Sequence, residues 1–155
     1  MTTLGHLASA HVLAPADAAF AYLNDPFRLG RWSLGCFDTG WDPDNGLHTG
    51  RSLFDGSRGW FTIDADPVRM LLDYWVGRPD RLTFRISARV IPGETVGYES
   101  GTCLVMLSAW RPATMPAERW LRLCASHEAE IWLIKAQIES ENPSDAIRGD
   151  VVSSS

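Results

Sequence analysis

Between Leu82 and Val90 apolar and polar residues alternate without a break. Leu82, Phe84, Ile86, Ala88 and Val90 share one face of an extended chain, and Thr83, Arg85, Ser87 and Arg89 share the other. A period of two with one apolar face predicts a strand in a sheet covered on one side only. Trp60–Ala65 repeats the pattern, with Phe61, Ile63 and Ala65 inward and Thr62 and Asp64 outward. From Gly35 to Arg111, Gly, Asp and Pro punctuate the chain roughly every eight to twelve residues, the spacing of an antiparallel meander. Strands are predicted near Cys36–Trp41, Leu47–Phe54, Trp60–Ala65, Met70–Val76, Leu82–Ile91 and Thr102–Trp110. "WDPDNG", "DGSRG" and "VGRPDR" supply turns between them.

Ahead of this region His6–Leu13 reads as one more short strand. "APADAAFAYLNDP" then reads as a helix, with Pro15 suited to its first turn and Asn24-Asp25-Pro26 ending it. A second short helix is predicted over Phe27–Trp32. After the meander, "PATMPAERW" opens a long helix running to Ser140, with Thr114 as its expected cap and Glu118 complementing its dipole. An antiparallel sheet with one apolar face needs a cover, and only this helix is long enough to provide it. The fold class is therefore α+β: a strongly curved seven-stranded antiparallel sheet around a long C-terminal helix, with two short helices after the first strand. Residues 1–142 form one domain, and 143–155 are too polar to pack and are expected to be mobile.

Charge narrows the partners. The net charge is −5, and the arginines form no block, so nucleic acid is not expected as a partner. No apolar run is long enough to insert in a membrane. Cys36, Cys103 and Cys124 are odd in number and lack metal-knuckle spacing, which suits free thiols in a reducing compartment. The first twenty residues lack a secretory pattern, so a cytoplasmic location is expected.

The order of elements, with "VLAPADAAFAYLNDPFRLGRW" at one end and "ERWLRLCASHEAEIWLIKAQIE" at the other, resembles the START/SRPBCC superfamily, the helix-grip fold whose bacterial members are often described as polyketide cyclase/dehydrase-like. The resemblance covers residues 6–140. It implies a deep apolar cavity between sheet and long helix. Some members carry lipids or hormones, some are aromatase/cyclases, and some are the catalytic domains of ring hydroxylases. The last group needs two histidines and a carboxylate around iron, and none of His6, His11, His48 and His127 has a second His at ligand spacing. The sequence supports no metal or nucleotide cofactor.

On a wheel at 100° per residue, Trp120, Cys124, Ile131, Ile134 and Ile138 of the long helix cluster within about 80°, and Leu121 and Trp132 extend the stripe. His127 falls inside the cluster, and Glu128 and Lys135 fall inside the extended sector. Ser126 falls on the opposite side. His127 and Glu128 are the candidate acid/base pair, since histidine titrates near neutrality and a buried carboxylate must be paired or protonated. Two plainer roles compete: a core imidazole for His127, and for Glu128 an ion pair with Arg28 or Arg31. Lys135 can meet Glu139 at i+4. Phe61, Ile63, Phe84 and Ile86 on the sheet and Trp120 and Ile131 on the helix are the expected ligand-lining residues, with Tyr74 directing its hydroxyl inward. Arg85 and Arg89 belong to the solvated face of a regular strand, and a bulge would reverse them.

The leading reading is a binding module for a hydrophobic small molecule, aromatic, polyketide-like or lipid-like. An alternative is a cyclase/dehydratase-like enzyme, and a third reading is a protein-interaction domain. A homodimer is left open.

Overall fold

The computed structural model describes residues 3–143. The chain runs β1 (Gly5–Val12), α1 (Ala16–Leu23), α2 (Pro26–Leu29), β2 (Phe37–Asp42), β3 (Leu47–Arg51), β4 (Arg58–Asp66), β5 (Leu71–Arg78), β6 (Arg81–Pro92), β7 (Cys103–Trp110) and α3 (Ala117–Glu141), with a 3-10 turn at Gly93–Val96. The seven strands form one open antiparallel sheet in the order β1-β7-β6-β5-β4-β3-β2. The α+β architecture and the covering C-terminal helix are as the sequence pattern predicts. The expected tail lies outside the described residues from 144 onward.

The inner face is set by strand alternation. On β1 and β7 the paired residues Ala8 and Leu107, Ala10 and Val105, and Val12 and Cys103 are all buried. α3 lies across these two strands and α1 across β6, while α2 meets β2. Ile131, Ile134 and Ile138 of α3 join Phe61, Leu72, Tyr74 and Val90 of the sheet in the main core. The predicted cap of α3 fails. Pro116 occupies the cap position, with no side chain able to accept from the first helical amides, and Thr114 does not cap.

The alternation of β6 also breaks. Ile86 pairs with Tyr74, but the next pair is Trp75 with Phe84, so Arg85 is an extra residue in a β-bulge. From this point Phe84 follows Trp75 onto the outer face. It stacks there on Trp75 at 5.5 Å and meets Trp110 at 4.4 Å between ring centroids. The expectation that Phe84 lines the inner face is thereby corrected.

Candidate functional site

Five of the expected lining residues do face the interior. Phe61, Tyr74 and Ile131 are buried in the main core, and Ile63 and Ile86 pack against it. Trp120 is buried too, but in a separate small cluster with Ala109 and Met115. The Tyr74 hydroxyl donates to the Leu23 carbonyl at 2.7 Å. Burial raises its pKa, so it stays protonated.

α3 separates the two candidate acid/base residues. His127 is 2% exposed. Its ring lies 6.1 Å from that of His6, and its Nδ1 is buried with no hydrogen-bond partner among the described residues. Burial, helped by the neighbouring His6, pulls its pKa down to about 4, so the imidazole is neutral at physiological pH. Glu128 points the other way. Its side chain is 71% exposed and its Oε1 lies 3.2 Å from His6 Nε2. The expected partners of Glu128, Arg28 or Arg31, are replaced by a histidine from β1; Arg28 instead pairs with Asp25 and Glu141. Lys135 meets Glu139 as its spacing suggests, and also donates to the His11 carbonyl at 2.6 Å.

The buried carboxyl group of α3 is Glu130, which sequence reasoning passes over. It lies three residues after His127 on the same face of α3 and is 3% exposed. Its Oε1 accepts the Leu34 backbone N–H at 3.1 Å from the segment after α2. Burial pushes its pKa up to about 7, against the opposing pull of that hydrogen bond. The nearby Cys36 thiol is pushed up to about 12 by burial first and by Glu130 second, so it is no nucleophile. Trp32, in the same segment, is buried edge-on to Tyr74 at 6.1 Å, with its Nε1 unpartnered among the described residues. Gln137 ties this side of the helix down through Tyr22 and the Arg31 carbonyl. The i+3 spacing from His127 is the signal that could have found Glu130.

Two surface depressions flank this interior. One, of about 480 Å³, lies between the start of β1 and α3 and is lined by Thr3, His6, Trp120, Leu121, Cys124, Ala125 and Glu128. The other, of about 590 Å³, lies beside the β2–β3 and β5–β6 turns. There Asp42 accepts from Asn45 Nδ2 and from Trp60 Nε1, each at 2.8 Å, which holds its carboxyl down near 2 and staples the turn. Among the described residues no group of three or more His, Cys, Asp or Glu is placed to hold a metal ion, and no helix is long and apolar enough to cross a membrane.

No family model matches the sequence, and no curated protein matches it by sequence. Solved structures do match. Protein XoxI from Bacillus cereus superposes with a TM-score of 0.64 at 12% identity, over 87% of this chain and 95% of its own. A START superfamily protein from Mycobacterium smegmatis gives 0.62 at 11% identity, over 90% of this chain and 99% of its own. The chain has a START/SRPBCC-like helix-grip fold. The di-domain ARO/CYC protein BexL from the BE-7585A biosynthetic pathway shares the helix-grip architecture with a TM-score of 0.63 at 13% identity, over 87% of this chain and 46% of its own. Identities this low establish the helix-grip fold alone.

Proposed function

We propose that this helix-grip domain binds a hydrophobic small molecule, aromatic, polyketide-like or lipid-like, between the sheet and α3. The observation that carries the reading is that His127 Nδ1 and Trp32 Nε1, two of the four buried ring nitrogens without a partner among the described residues, lie in a largely apolar interior. Buried polar atoms nearly always have partners. Small-molecule sites combine apolar walls with a few placed polar groups. His127 and Trp32 are the polar groups of such a site, with Phe61, Ile63, Ile86 and Ile131 as its walls. The test is native mass spectrometry of freshly purified protein, together with titration of the neutral fluorophore N-phenyl-1-naphthylamine. A co-purified small molecule, or saturable one-to-one binding of the fluorophore, supports the reading. Neither being found would leave the protein-interaction reading in its place.

Glu130 favours a second reading. A carboxyl with a pKa of about 7 can give or take a proton at neutral pH. The cyclase/dehydratase-like alternative therefore rests on Glu130, in company with His127, more than on Glu128. If the domain is an enzyme, a co-purified ligand should change mass on incubation with wild-type protein and persist with Glu130→Gln.

A further inference from the structure

His6 and His127 are the one pair of neighbouring rings, among the described residues, in which both members keep a buried nitrogen without a hydrogen-bond partner. His6 shares the inward parity of Ala8, Ala10 and Val12 on β1, and its ring centre lies 6.1 Å from that of His127 on α3. It also lines the groove of about 480 Å³ between β1 and α3, where its Nε2 meets Glu128 Oε1 at 3.2 Å. A carboxylate can only accept, so Nε2 carries the proton of the neutral ring and Nδ1 is left as an acceptor. Trp32 and His48 hold the other two unpartnered nitrogens, and their ring neighbours offer no such counterpart: Tyr74 for Trp32, and Phe27, Trp41 and Phe61 for His48. Buried polar atoms nearly always find a partner, and two orphans side by side point to one shared partner. An oxygen hydrogen-bonded to both nitrogens spans up to roughly 6 Å between them, a reach that suits rings at this separation. A hydroxyl can donate to His6 Nδ1 and accept from His127 Nδ1–H at the same oxygen.

We propose that His6 and His127 form a hydroxyl-recognition subsite between β1 and α3, and that the ligand is a hydroxylated aromatic molecule, a phenol or enol, whose O–H bridges the two rings. This rests on the small-molecule reading above and adds a ligand class to it. The apolar body of the ligand lies against the core, and its hydroxyl lies at the β1 side, where His6 also borders the groove. Glu128 is a positioning residue: it holds His6 in the tautomer that leaves Nδ1 free to accept. A ligand that offers only an ether oxygen there leaves His6 Nδ1 buried and unpaired, and sites built to pair a hydroxyl reject analogues that lack it.

The test uses one ring system with and without the hydroxyl proton. 2-Naphthol and 2-methoxynaphthalene, both uncharged at neutral pH, each compete against bound N-phenyl-1-naphthylamine. The naphthol should compete at least ten-fold better than the ether in the wild type. His6→Leu and His127→Leu should each remove that preference, and His6→Asn, which keeps an acceptor near the position of Nδ1, should retain part of it. Long-range ¹H–¹⁵N spectra of histidine-labelled wild type give a readout that needs no variant to fold: the naphthol should shift the Nδ1 resonances of His6 and His127, and the ether should leave that of His6 in place. Equal competition by naphthol and ether, or unshifted Nδ1 resonances with naphthol bound, would show the two nitrogens bridged by water alone; that would overturn the assignment while leaving the small-molecule reading intact. Failure of the neutral fluorophore to bind at all would overturn both.

Discussion

His127 and Glu130 stand one helical turn apart on the buried face of α3, and burial drives their protonation in opposite directions. His127 stays neutral down to about 4 instead of 6.5, and Glu130 stays protonated up to about 7 instead of 4.5. Between pH 4.5 and 6.5 the unfolded chain binds a proton on His127 that the folded chain refuses. Over the same range the folded chain keeps a proton on Glu130 that the unfolded chain releases. The first effect makes stability rise with pH and the second makes it fall, each by up to about 1.4 kcal/mol per pH unit.

The two effects therefore mask each other in the wild type, and single variants should unmask them. Relative to wild type, His127→Leu should lose stability as pH climbs from 4 to 6.5, because the gain that His127 gives the wild type over that range is gone. Glu130→Gln should lose stability, relative to wild type, as pH drops from 7 to 4.5, because the contribution of the buried protonated Glu130 is gone. Urea denaturation across this range reads both slopes. Variant profiles parallel to the wild type would show that neither group is buried in solution.

Glu128→Gln should matter little. Its partner His6 is reached across an exposed edge, and such pairs contribute at most about 1 kcal/mol. Fluorophore affinity should be unchanged. A ten-fold loss would move the binding site from the interior to the groove between β1 and α3.

Phe61 and Phe84 look alike in sequence and should behave differently. Phe61 is 1% exposed in the core, so Phe61→Ala should cost about 3–5 kcal/mol and weaken the fluorophore. Phe84→Ala removes two aromatic contacts on the outer face, which predicts a loss of about 1–2 kcal/mol with binding intact. Chemical denaturation and probe titration on the same samples separate the two.

Gly30 closes the corner between α2 and β2. A Cβ there would sit 2.6 Å from the Thr39 backbone nitrogen, and the Thr39 hydroxyl is held by the Pro26 carbonyl at 2.7 Å. Gly30→Ala should cost about 1–3 kcal/mol by overpacking. Gly35→Ala, where nothing lies within 4 Å, is the control and should leave the melting temperature nearly unchanged.

Element order and strand parity were legible because both depend on local periodicity. The grip arrangement followed from one apolar sheet face and one helix long enough to cover it. The bulge was not legible. Leu82–Val90 alternates without interruption, and the register slip arises from how β6 meets β5 and β7, with Phe84 drawn outward between Trp75 and Trp110. The helix wheel failed for a related reason. Leu121 and Trp132 are 63% and 62% exposed, yet as apolar residues they rotated the inferred buried sector toward Glu128 and away from Glu130. Ser126 was assigned to solvent by the same error; it is buried and donates to the Arg122 carbonyl. Hydrophobicity locates a face only when the apolar residues lie on it, and this helix places two of its largest outside.

The pairing of β1 with β7 carries a consequence for how the chain comes off the ribosome. Gly5 is registered against Trp110, so the first strand made waits for the last before it has a neighbour. At roughly 5–20 residues per second that interval is several seconds or more, during which Gly5–Val12 is an open strand edge in the cell. Contacts this distant in sequence also slow folding, because the loop between them must close first. No nascent fragment ending before β7 can assemble this sheet in its final order. The meander from β2 to β6 keeps an open edge along β6 until β7 arrives.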